Sequence, residues 1–404
     1  MILRENYIQK LLEFKDTKTI KVITGMRRCG KSALMLLYKD HLINEGISES
    51  QIVHMNFESL KYEEYNDYKT LYTYIESLIQ PECKMYLLLD EIQQVQGWEK
   101  AVNSLTIDYD VDLYLTGSNA YLLSSELATY LSGRYIEIKM LPLSFKEYLV
   151  FVKALRPNDQ NESIEFLFER YLKYGSLPLL FEHKNVDIVF DTLLLGVYNT
   201  VLVKDVLERN KITDVKLFND VVRFALDNIG NLTSSKKVSD FLSSDGKKTT
   251  HNTVLNYFSM LENAFILYSA RRYDIKGKQY LKTLDKYYVV DTGIRNAVLG
   301  LRNADYGHIL ENIVYLELRR RGFDVSIGVY RDYEIDFVAS NSQEKFYVQV
   351  TQSLKEEAVY NREIRALEAI DDNYPKIILS MDRTFRSDYK GIQFKYILDF
   401  LLEE

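Results

Sequence analysis

Apolar and polar positions alternate along residues 1–140 in a way that predicts strands and helices in turn. Short apolar runs end where polar residues or glycine begin, which is typical of buried strands; they are Ile20–Thr24, Ile52–Phe57, Met85–Leu89 and Val111–Thr116. The stretches between them place apolar residues three and four positions apart, as helices do; they include Ser32–Asn44, Lys69–Ile79 and Trp98–Thr106. This alternation predicts a parallel sheet covered by helices, with functional side chains at the carboxyl ends of the strands.

The rest of the chain predicts three further segments. From 144 to 211 the strand pattern gives way to long helical patterns, which we interpret as a helical lid or connector. Residues 212–300 contain three helical patterns and then two β-rich pieces, Phe265–Tyr273 and Lys282–Val290, which is the order of a winged helix-turn-helix. Residues 301–404 return to mixed strands and helices. We therefore predict an α/β protein divided into 1–143, 144–211, 212–300 and 301–404.

The composition is that of an ordinary globular chain. Of 404 residues, 27% are charged, 17 are Gly and 5 are Pro, which excludes collagen-like and low-complexity classes. The two cysteines, Cys29 and Cys83, indicate a reducing compartment, and no Cys/His group has metal-ligand spacing. No stretch reaches the roughly 18 apolar residues of a membrane-spanning helix. We therefore expect a cytoplasmic protein with no membrane partner.

A phosphate-binding motif follows the first predicted strand. Residues 25–32, GMRRCGKS, fit the pattern G-x-x-x-x-G-K-[ST] and join a strand to a helix, as that motif requires. Gly25 and Gly30 let the loop curl until its N–H groups point at phosphate oxygens; Lys31 would bridge the β- and γ-phosphates, and Ser32 would hold Mg²⁺. We assign nucleotide contact to the loop and the residue after it: Gly25, Met26, Arg27, Arg28, Cys29, Gly30, Lys31, Ser32 and Ala33. For Arg27 and Arg28, contact with a neighbouring subunit or with solvent is the alternative, and Cys29 is given no redox role.

Two carboxylates come directly after the apolar run Met85–Leu89. Asp90 suits contact with Mg²⁺, direct or through water, and Glu91 suits polarising the attacking water. The alternative is that both residues only favour the start of the next helix through their negative charge.

Polar residues also follow the run Val111–Thr116. Ser118 and Asn119 compete for contact with the γ-phosphate or its water, and a helix N-cap is the alternative for either. Arg134 is the candidate cation that neutralises transition-state charge, within one chain or across a subunit interface. The alternative is that Arg134 is an ordinary surface arginine with no role in catalysis.

These motifs together resemble a known family. GMRRCGKS, YLLLDEIQ, LTGSNA and LSGRYIEIKMLPLSFKEYL are similar to the AAA-type P-loop ATPases of bacteria and archaea, which relate to the archaeal ATPases and STAND NTPases and have a C-terminal domain of unknown function. The resemblance continues through Tyr174–Pro178, Tyr198–Arg209, the winged-helix segment and Tyr347–Thr351. It implies ATP and Mg²⁺ as cofactors, bound through Lys31, Ser32, Asp90 and Glu91.

Basic residues are concentrated in the predicted winged helix. The whole chain has a net charge of −7, whereas residues 231–300 contain eleven basic and six acidic residues, a local charge of +5. Thr249, Thr250, His251 and Asn252 would begin the recognition helix, with Arg271, Arg272, Lys276 and Lys278 on the wing. DNA contact here and a role in protein interaction are both open.

The last segment resembles a restriction-endonuclease-like core, PD-(D/E)xK, with altered chemistry. Glu311, Asp336, Gln349 and Thr351 fall at its positions, but Gln349 replaces a Glu that would hold Mg²⁺ and Thr351 replaces the Lys that would position water. Lys355 is a displaced-cation candidate. The alternative is that Glu311 and Asp336 are structural partners of Arg319, Arg320 or Arg331. We expect this segment to bind nucleic acid, another protein or a second copy of the chain, without nuclease activity.

The sequence thus predicts an ATP-binding and ATP-hydrolysing regulatory or mechanical protein. Two alternatives are kept: an ATP-driven DNA-processing enzyme with an active nuclease domain, and a non-catalytic scaffold with structural nucleotide.

Overall fold

The computed structural model describes residues 1–80, 82–123, 133–156, 159, 161–183, 186–282, 284–302, 305–383 and 387–403. The chain divides into two compact units. The first consists of Met1–Pro142 with Asn263–Phe265, and the second of Leu143–Glu262 with Ile266–Glu404. Each is described by itself below.

The first unit is built on a parallel sheet of five strands. The strands are β1 Ile20–Thr24, β2 Ile52–Asn56, β3 Met85–Asp90, β4 Val111–Gly117 and β5 Tyr135–Lys139, in the spatial order β2-β3-β4-β1-β5. Its helices are α1 Glu5–Glu13, α2 Lys31–Asn44, α3 Tyr68–Leu78 and α4 Trp98–Asp108. The predicted α/β class and parallel sheet are confirmed. β5, which the apolar pattern did not single out, pairs with β1 along its whole length.

Burial explains why the four predicted strands are continuous apolar runs. Both faces of a parallel sheet are covered by helices, so its strands have no solvent side on which to alternate. Every residue of β1, β3 and β4 is buried. β5 lies at the edge of the sheet and is buried only at Ile138, which is why its pattern was weak.

Helices make up the first part of the second unit. They are α5 Phe145–Leu155, α6 Ile164–Tyr174, α7 Val186–Thr200, a π-helix Val201–Glu208, α8 Val215–Asp227, α9 Ser235–Ser244 and α10 His251–Asn263. After α10, strands β6 Leu267–Ala270 and β9 Lys286–Val289 pair antiparallel, and α11 Thr292–Leu299 follows. The three helical patterns predicted in 212–300 correspond to α8, α9 and α10.

An eight-stranded sheet forms the rest of the second unit. Its order is β14-β15-β13-β12-β11-β10-β7-β8, where the strands are β7 Arg272–Asp274, β8 Gln279–Tyr280, β10 Asp324–Tyr330, β11 Tyr333–Ser340, β12 Lys345–Thr351, β13 Lys376–Ser380, β14 Asp388–Tyr389 and β15 Ile392–Tyr396. The helices are α12 Tyr306–Arg320, α13 Glu357–Glu368 and α14 Ile397–Leu402. Because β7 pairs with β10, this sheet crosses the predicted boundary at 300/301.

The Tyr174–Pro178 segment has a structural role in the second unit. The Asp291 carboxylate accepts hydrogen bonds from the Ser176 backbone at 2.6 Å and from its hydroxyl at 3.0 Å. A Cβ on Gly175 would lie 2.2 Å from Asp291 Oδ1, and one on Gly293 would lie 2.1 Å from the Tyr174 carbonyl oxygen. The two glycines therefore let this segment and the start of α11 approach more closely than side chains would allow.

Candidate functional site

The phosphate-binding motif forms the loop between β1 and α2. Gly25 and Gly30 have φ angles of +153° and +107°, which residues with a side chain rarely adopt. A Cβ on Gly25 would also lie 2.2 Å from the Met140 carbonyl oxygen, so only glycine fits there. The loop is therefore shaped by its glycines and by the segment that follows β5.

The ammonium group of Lys31 is buried inside this loop. Its Nζ donates to the carbonyl oxygens of Gly25 at 2.9 Å and Met26 at 3.1 Å, and it lies 3.6 Å from Glu91 Oε1. The side chain is 4% exposed. Lys31 is thus positioned between the loop and the second predicted acidic residue.

Asp90 lies fully buried at the carboxyl end of β3. Its carboxylate accepts hydrogen bonds from the Thr116 hydroxyl and, at 3.0 Å, from Asn56 Nδ2. Burial raises the pKa of Asp90, while hydrogen bonds from the side chains of Thr116 and Ser32 oppose the increase. The Ser32 contact matters most, because it places the two predicted Mg²⁺ ligands side by side.

Glu91 is held in a left-handed backbone conformation. Its φ is +55° and its ψ is 45°, an arrangement that costs of order 1–3 kcal/mol for a residue with a side chain. The Glu91 N–H donates to the Thr116 hydroxyl oxygen at 2.9 Å, and Gln93 Nε2 donates to the Glu91 carboxylate. This turn directs the carboxylate towards Lys31.

The two polar residues that follow β4, Ser118 and Asn119, differ in their hydrogen bonds. Ser118 Oγ accepts a hydrogen bond of 3.4 Å from Gln93. Asn119 is 1% exposed, yet neither atom of its amide has a hydrogen-bond partner within the described part of the chain. A buried amide without a hydrogen-bond partner costs free energy. The Asn119 amide is therefore suited to donate a hydrogen bond to a bound polar ligand, or to accept one from it.

The other loop residues lie as follows. Met26 and Cys29 are buried, and burial raises the pKa of the Cys29 thiol, in keeping with its lack of a redox role. Arg27 is half-buried and lies 2.6 Å from Glu58, whereas Arg28 is exposed. Ala33 lies in the first turn of α2.

Arg134 is not brought to this loop within the chain. It is exposed and precedes β5, where its carbonyl oxygen accepts a hydrogen bond from the Ile20 N–H at 2.8 Å. The register pairs Ile20 with Tyr135 and Thr24 with Lys139, so Arg134 lies at the amino end of the strands. Five steps of about 3.3 Å each, from Arg134 to Lys139, put its backbone about 16 Å from the level at which β1 ends. The Leu131 and Ser132 positions before it lie outside the described residues.

Arg4 contacts the loop, although no motif in the sequence singles it out. It is 4% exposed, and its Nη1 donates to the carbonyl oxygens of Cys29 at 3.1 Å and Leu141 at 3.0 Å. Nη2 donates to the Pro142 oxygen at 3.3 Å, and the Leu141 N–H donates to the Tyr7 hydroxyl at 3.1 Å. The start of α1 therefore fixes the back of the loop. The only sequence signal was a basic residue directly before an amphipathic helix.

The residues present fit a nucleotide with a divalent cation. The loop offers backbone N–H groups at the N-terminus of α2, Lys31 supplies one positive charge, and Ser32 with Asp90 supplies oxygen ligands of the kind that Mg²⁺ prefers. The Asn119 amide, which has no partner among the described residues, offers a further polar contact.

A separate cleft of about 1140 Å³ lies in the second unit, and its lining includes all four predicted nuclease-like residues, Glu311, Asp336, Gln349 and Thr351. Lys355 also lines it, with its side chain 83% exposed and 3.6 Å from Asp382. With Lys286 in place, no group of three or more His, Cys, Asp or Glu side chains among the residues that the structure describes is arranged to hold a metal ion.

The centre of this cleft contains two residues that the sequence did not indicate. Lys286 Nζ lies 2.9 Å from both Glu311 Oε1 and Glu334 Oε1 and 3.9 Å from Asp336 Oδ1. Glu363 accepts a 2.8 Å hydrogen bond from Gln349, whose Oε1 accepts from the Asp336 N–H at 2.6 Å. The suggestion that Arg319, Arg320 or Arg331 pairs with Glu311 and Asp336 is therefore replaced: their cation is Lys286.

The pKa values in this cluster follow from burial and charge. Burial and then the negative charge of Glu311 raise the pKa of Asp336 well above its ordinary value. Burial alone would lower the pKa of Lys286, but Glu311, Asp336 and Glu334 outweigh it and raise that pKa. Lys286 in turn holds the pKa of Glu311 below its usual value, although burial opposes this.

Two of the eleven basic residues counted in 231–300 are buried. Lys286 is 4% exposed, and Arg295 is 1% exposed, where it donates to the Leu226 carbonyl oxygen at 2.9 Å and to Asp305 at 2.5 Å. The predicted wing forms the hairpin β7–β8 at the edge of the eight-stranded sheet, with Lys276 and Lys278 exposed at its turn. The exposed basic surface is therefore smaller than the sequence indicated.

The exposed face of α10 is polar except at Leu255, which is 49% exposed. Its exposed residues are His251, Asn252, Leu255, Asn256 and Ser259. Within the described ranges, no helix has both the length and the apolar character needed to span a bilayer.

Comparison with known proteins identifies the first unit. Residues 17–149 match the family described as AAA domain, and residues 165–305 match a domain of unknown function (DUF8612). A protein of Haemophilus influenzae named "Uncharacterized protein" is 42% identical over all of this chain and 99% of its own length. An uncharacterized protein of Methanocaldococcus jannaschii is 30% identical over 87% of this chain and 79% of its own. Among solved structures, a Walker-type ATPase of Pyrococcus abyssi is 16% identical, covers 74% of this chain and 96% of its own, and has a TM-score of 0.46.

Proposed function

We propose that this chain, which belongs to the family of AAA-domain proteins that includes its Haemophilus influenzae relative, binds ATP with Mg²⁺ and hydrolyses it. The observation that supports this most directly is the convergence of Lys31, Ser32, Asp90 and Glu91 at the carboxyl ends of β1 and β3. These four residues come from two separate motifs about 60 positions apart, and their side chains meet at one edge of the sheet, as residues that share a ligand do.

Each of these side chains has one task in the proposed reaction. Mg²⁺, when bound, neutralises charge on the phosphate oxygens. Ser32 and Asp90 would hold it, since their side chains already share a hydrogen bond. Lys31 would exchange the carbonyl oxygens of Gly25 and Met26 for phosphate oxygens. Glu91 would orient the attacking water.

Asn119 completes the proposed site. Its unpaired amide would contact the γ-phosphate or the attacking water, while Ser118 is already bonded to Gln93. Arg134 is left out of the site within one chain, because its backbone lies at the opposite end of β5.

The decisive test is phosphate release by the full-length protein with ATP and Mg²⁺. Lys31→Ala should reduce turnover to background, because the only ammonium group described in the loop is lost. Lys39→Ala, which removes a lysine from a later turn of the same helix, should leave the rate unchanged. Turnover by Lys31→Ala at the wild-type rate would refute the site.

Glu91→Gln separates binding from chemistry. This variant should bind ATP normally and hydrolyse it about 10²-fold more slowly, because the amide cannot take up a proton from water. Binding is measured with a fluorescent ATP analogue and turnover by phosphate release. If the wild-type protein releases no more phosphate than Lys31→Ala, the nucleotide is structural and the chain is a scaffold.

A second proposal concerns the partner of the second unit. The order α9, α10, β6 and β9 supports a winged-helix arrangement for residues 212–300, and its α10 presents a polar exposed face. We propose that this face contacts nucleic acid and that contact alters ATP turnover. Rates measured without nucleic acid and with duplex DNA, single-stranded DNA or RNA test this; identical rates in all four would direct the search to a protein partner or a second copy.

A further inference from the structure

The cleft of the second unit has a cation at its centre, and that cation belongs to the protein. Lys286 projects from β9, outside the segment that supplies the four nuclease-like positions. Its ammonium group makes two contacts of 2.9 Å with carboxylate oxygens of Glu311 and Glu334, and a third of 3.9 Å with Asp336. Glu311 and Lys286 are 7% and 4% exposed, whereas the Glu334 and Asp336 side chains are 39% and 18% exposed and open onto the cleft.

The polar groups around the lysine hold the carboxylates in place. The Tyr288 hydroxyl donates to the same Glu311 oxygen at 2.6 Å, and the Val350 N–H donates to Asp336 Oδ2 at 2.8 Å. The carboxylates of Glu311 and Asp336 thus each have one oxygen fixed by the fold. A buried charge must be paired, and three acidic groups of the same sign would repel one another without a cation between them.

The position of Lys286 explains why Gln349 and Thr351 can occupy the Glu and Lys positions of the nuclease-like core. Gln349 has no charge to share with a metal, and instead it links the Asp336 N–H to the Glu363 carboxylate through its amide. Lys286, on β9 of the separate two-stranded sheet, supplies the positive charge that Thr351 lacks. Gln349 leaves the cleft with one negative charge fewer than a Glu would, which reduces the need for a divalent cation.

We propose that Lys286 takes the place of a divalent cation in this cleft, so that Glu311, Glu334 and Asp336 form a cation site that the chain fills with its own ammonium group. The inference does not depend on the ATPase proposal, since it concerns other residues in the other unit. Its consequence is that divalent cations are excluded from this point and that the cleft acts by binding and not by metal-dependent hydrolysis.

The test replaces the ammonium group and asks whether a metal ion enters. Lys286→Met keeps the aliphatic stem and removes the charge. The matched control is Lys282→Met, which removes a lysine that is exposed four positions earlier. Binding of Mn²⁺ to the full-length, nucleotide-free proteins is measured by electron paramagnetic resonance of the free ion.

Lys286→Met should gain one Mn²⁺ site per chain, at least tenfold tighter than any in wild type or Lys282→Met. The double variant Lys286→Met, Asp336→Asn should lose it. Mn²⁺ should also raise the unfolding temperature of Lys286→Met and not that of wild type, which gives a second readout if the variant is unstable.

Three outcomes would overturn the proposal. Mn²⁺ binding by wild type that Asp336→Asn abolishes would mean that Lys286 does not exclude the ion. A folded Lys286→Met that gains no site would show that the carboxylates do not suit a divalent cation. A Lys286→Met chain that remains unfolded even in Mn²⁺ would show that the ion cannot replace the ammonium group.

Discussion

At the scale of single residues, the proposed catalytic site combines groups that are already paired with one group that is not. Lys31, Asp90 and Glu91 all have hydrogen-bond or charge partners in the structure. Asn119 has none within the described residues. Substitution of a paired residue should therefore reduce both stability and ATP turnover, whereas substitution of Asn119 should reduce ATP turnover and leave stability nearly unchanged.

Replacement of Asn119 by Ala should slow ATP hydrolysis by about 100-fold and leave stability nearly unchanged, because no hydrogen bond of the described structure is lost. Ser118→Ala is the matched control on the next residue, and it should have a much smaller effect on turnover. Phosphate release and thermal unfolding measured on both variants check this. A larger loss of turnover in Ser118→Ala would reverse the assignment.

His54 should make the first unit less stable in mild acid. Burial lowers the pKa of this imidazole, although the nearby Asp90 charge opposes the change. The unfolded state therefore takes up a proton first as the pH falls below about 6.5, so stability decreases with falling pH, by at most about 1.4 kcal/mol per pH unit.

Urea unfolding followed by Trp98 fluorescence, at pH 5.5 and 7.5, measures this effect. Trp98 is the one tryptophan in the sequence and lies buried in the first unit. His54→Gln should lose part of the pH dependence, whereas the exposed His251→Gln in the second unit should retain all of it. Equal dependence in wild type and His54→Gln would contradict the explanation.

Residues within one motif could be predicted from the sequence, and residues that meet across long chain separations could not. Lys31 and Ser32 follow from one eight-residue pattern, and Asp90 with Glu91 from the end of one apolar run. Arg4, which contacts Leu141, and Lys286, which contacts Asp336, meet partners far along the chain. Their basic side chains looked like surface residues because local sequence contains no information about distant carboxylates or carbonyls.

At the scale of elements, close packing between the Tyr174–Pro178 segment and α11 should make one glycine indispensable. Gly293→Ala would bring a Cβ to 2.1 Å from the Tyr174 carbonyl oxygen, and backbone cannot move as cheaply as a side chain. We expect a loss of stability of about 1–3 kcal/mol, the usual cost of overpacking.

The matched control is a glycine with space around it. Gly196 lies inside α7. Outside its own helix turn, no atom of the described residues lies within 4 Å of a Cβ added at this position. Gly196→Ala should therefore be neutral or stabilising by up to about 1 kcal/mol, through helix propensity. Thermal unfolding by far-UV circular dichroism compares the two. Equal changes at both glycines would mean that packing against Tyr174 does not decide the outcome.

Elements with strong periodicity could be predicted, and elements defined by their neighbours could not. β1, β3 and β4 are visible because burial on both faces leaves largely apolar runs, and the shorter apolar pattern of β2 remains visible although His54 and Asn56 are only half-buried. β5 and β8 are edge strands, β7 lies between β8 and β10, and partly exposed positions weaken the pattern of all three. The sequence predicted β-rich pieces at 265–273 and 282–290, and β6 and β9 within them pair. It did not indicate that β7 joins the eight-stranded sheet, because that pairing depends on residues 55 positions away, as in Arg272 with Ile327.

At the scale of the whole molecule, net charge gives little indication of where polyanions would bind. The chain has a net charge of −7, and two of the basic residues that make 231–300 positive are buried in ion pairs. Lys276 and Lys278 remain exposed at the turn of the β7–β8 hairpin.

If nucleic acid stimulates ATP turnover, the double substitution Lys276→Glu, Lys278→Glu should reduce that stimulation and weaken its dependence on salt, because fewer counterions are released on binding. The basal rate without nucleic acid should stay the same. The comparison is made by titrating duplex DNA at 50 and 200 mM salt. Stimulation that is unaffected by reversing both charges would exclude the hairpin turn from the contact.

The pairing of β7 with β10 also has a consequence for how genes of this kind can be shortened. A fragment ending near residue 300 would lack β10 and leave a strand without its hydrogen-bonding neighbour, and such exposed edges promote aggregation. Truncations that preserve residues 143–404 intact should yield usable protein, whereas those that stop at 300 should precipitate. Natural recombination between relatives would meet the same obstacle and should favour exchange before residue 143.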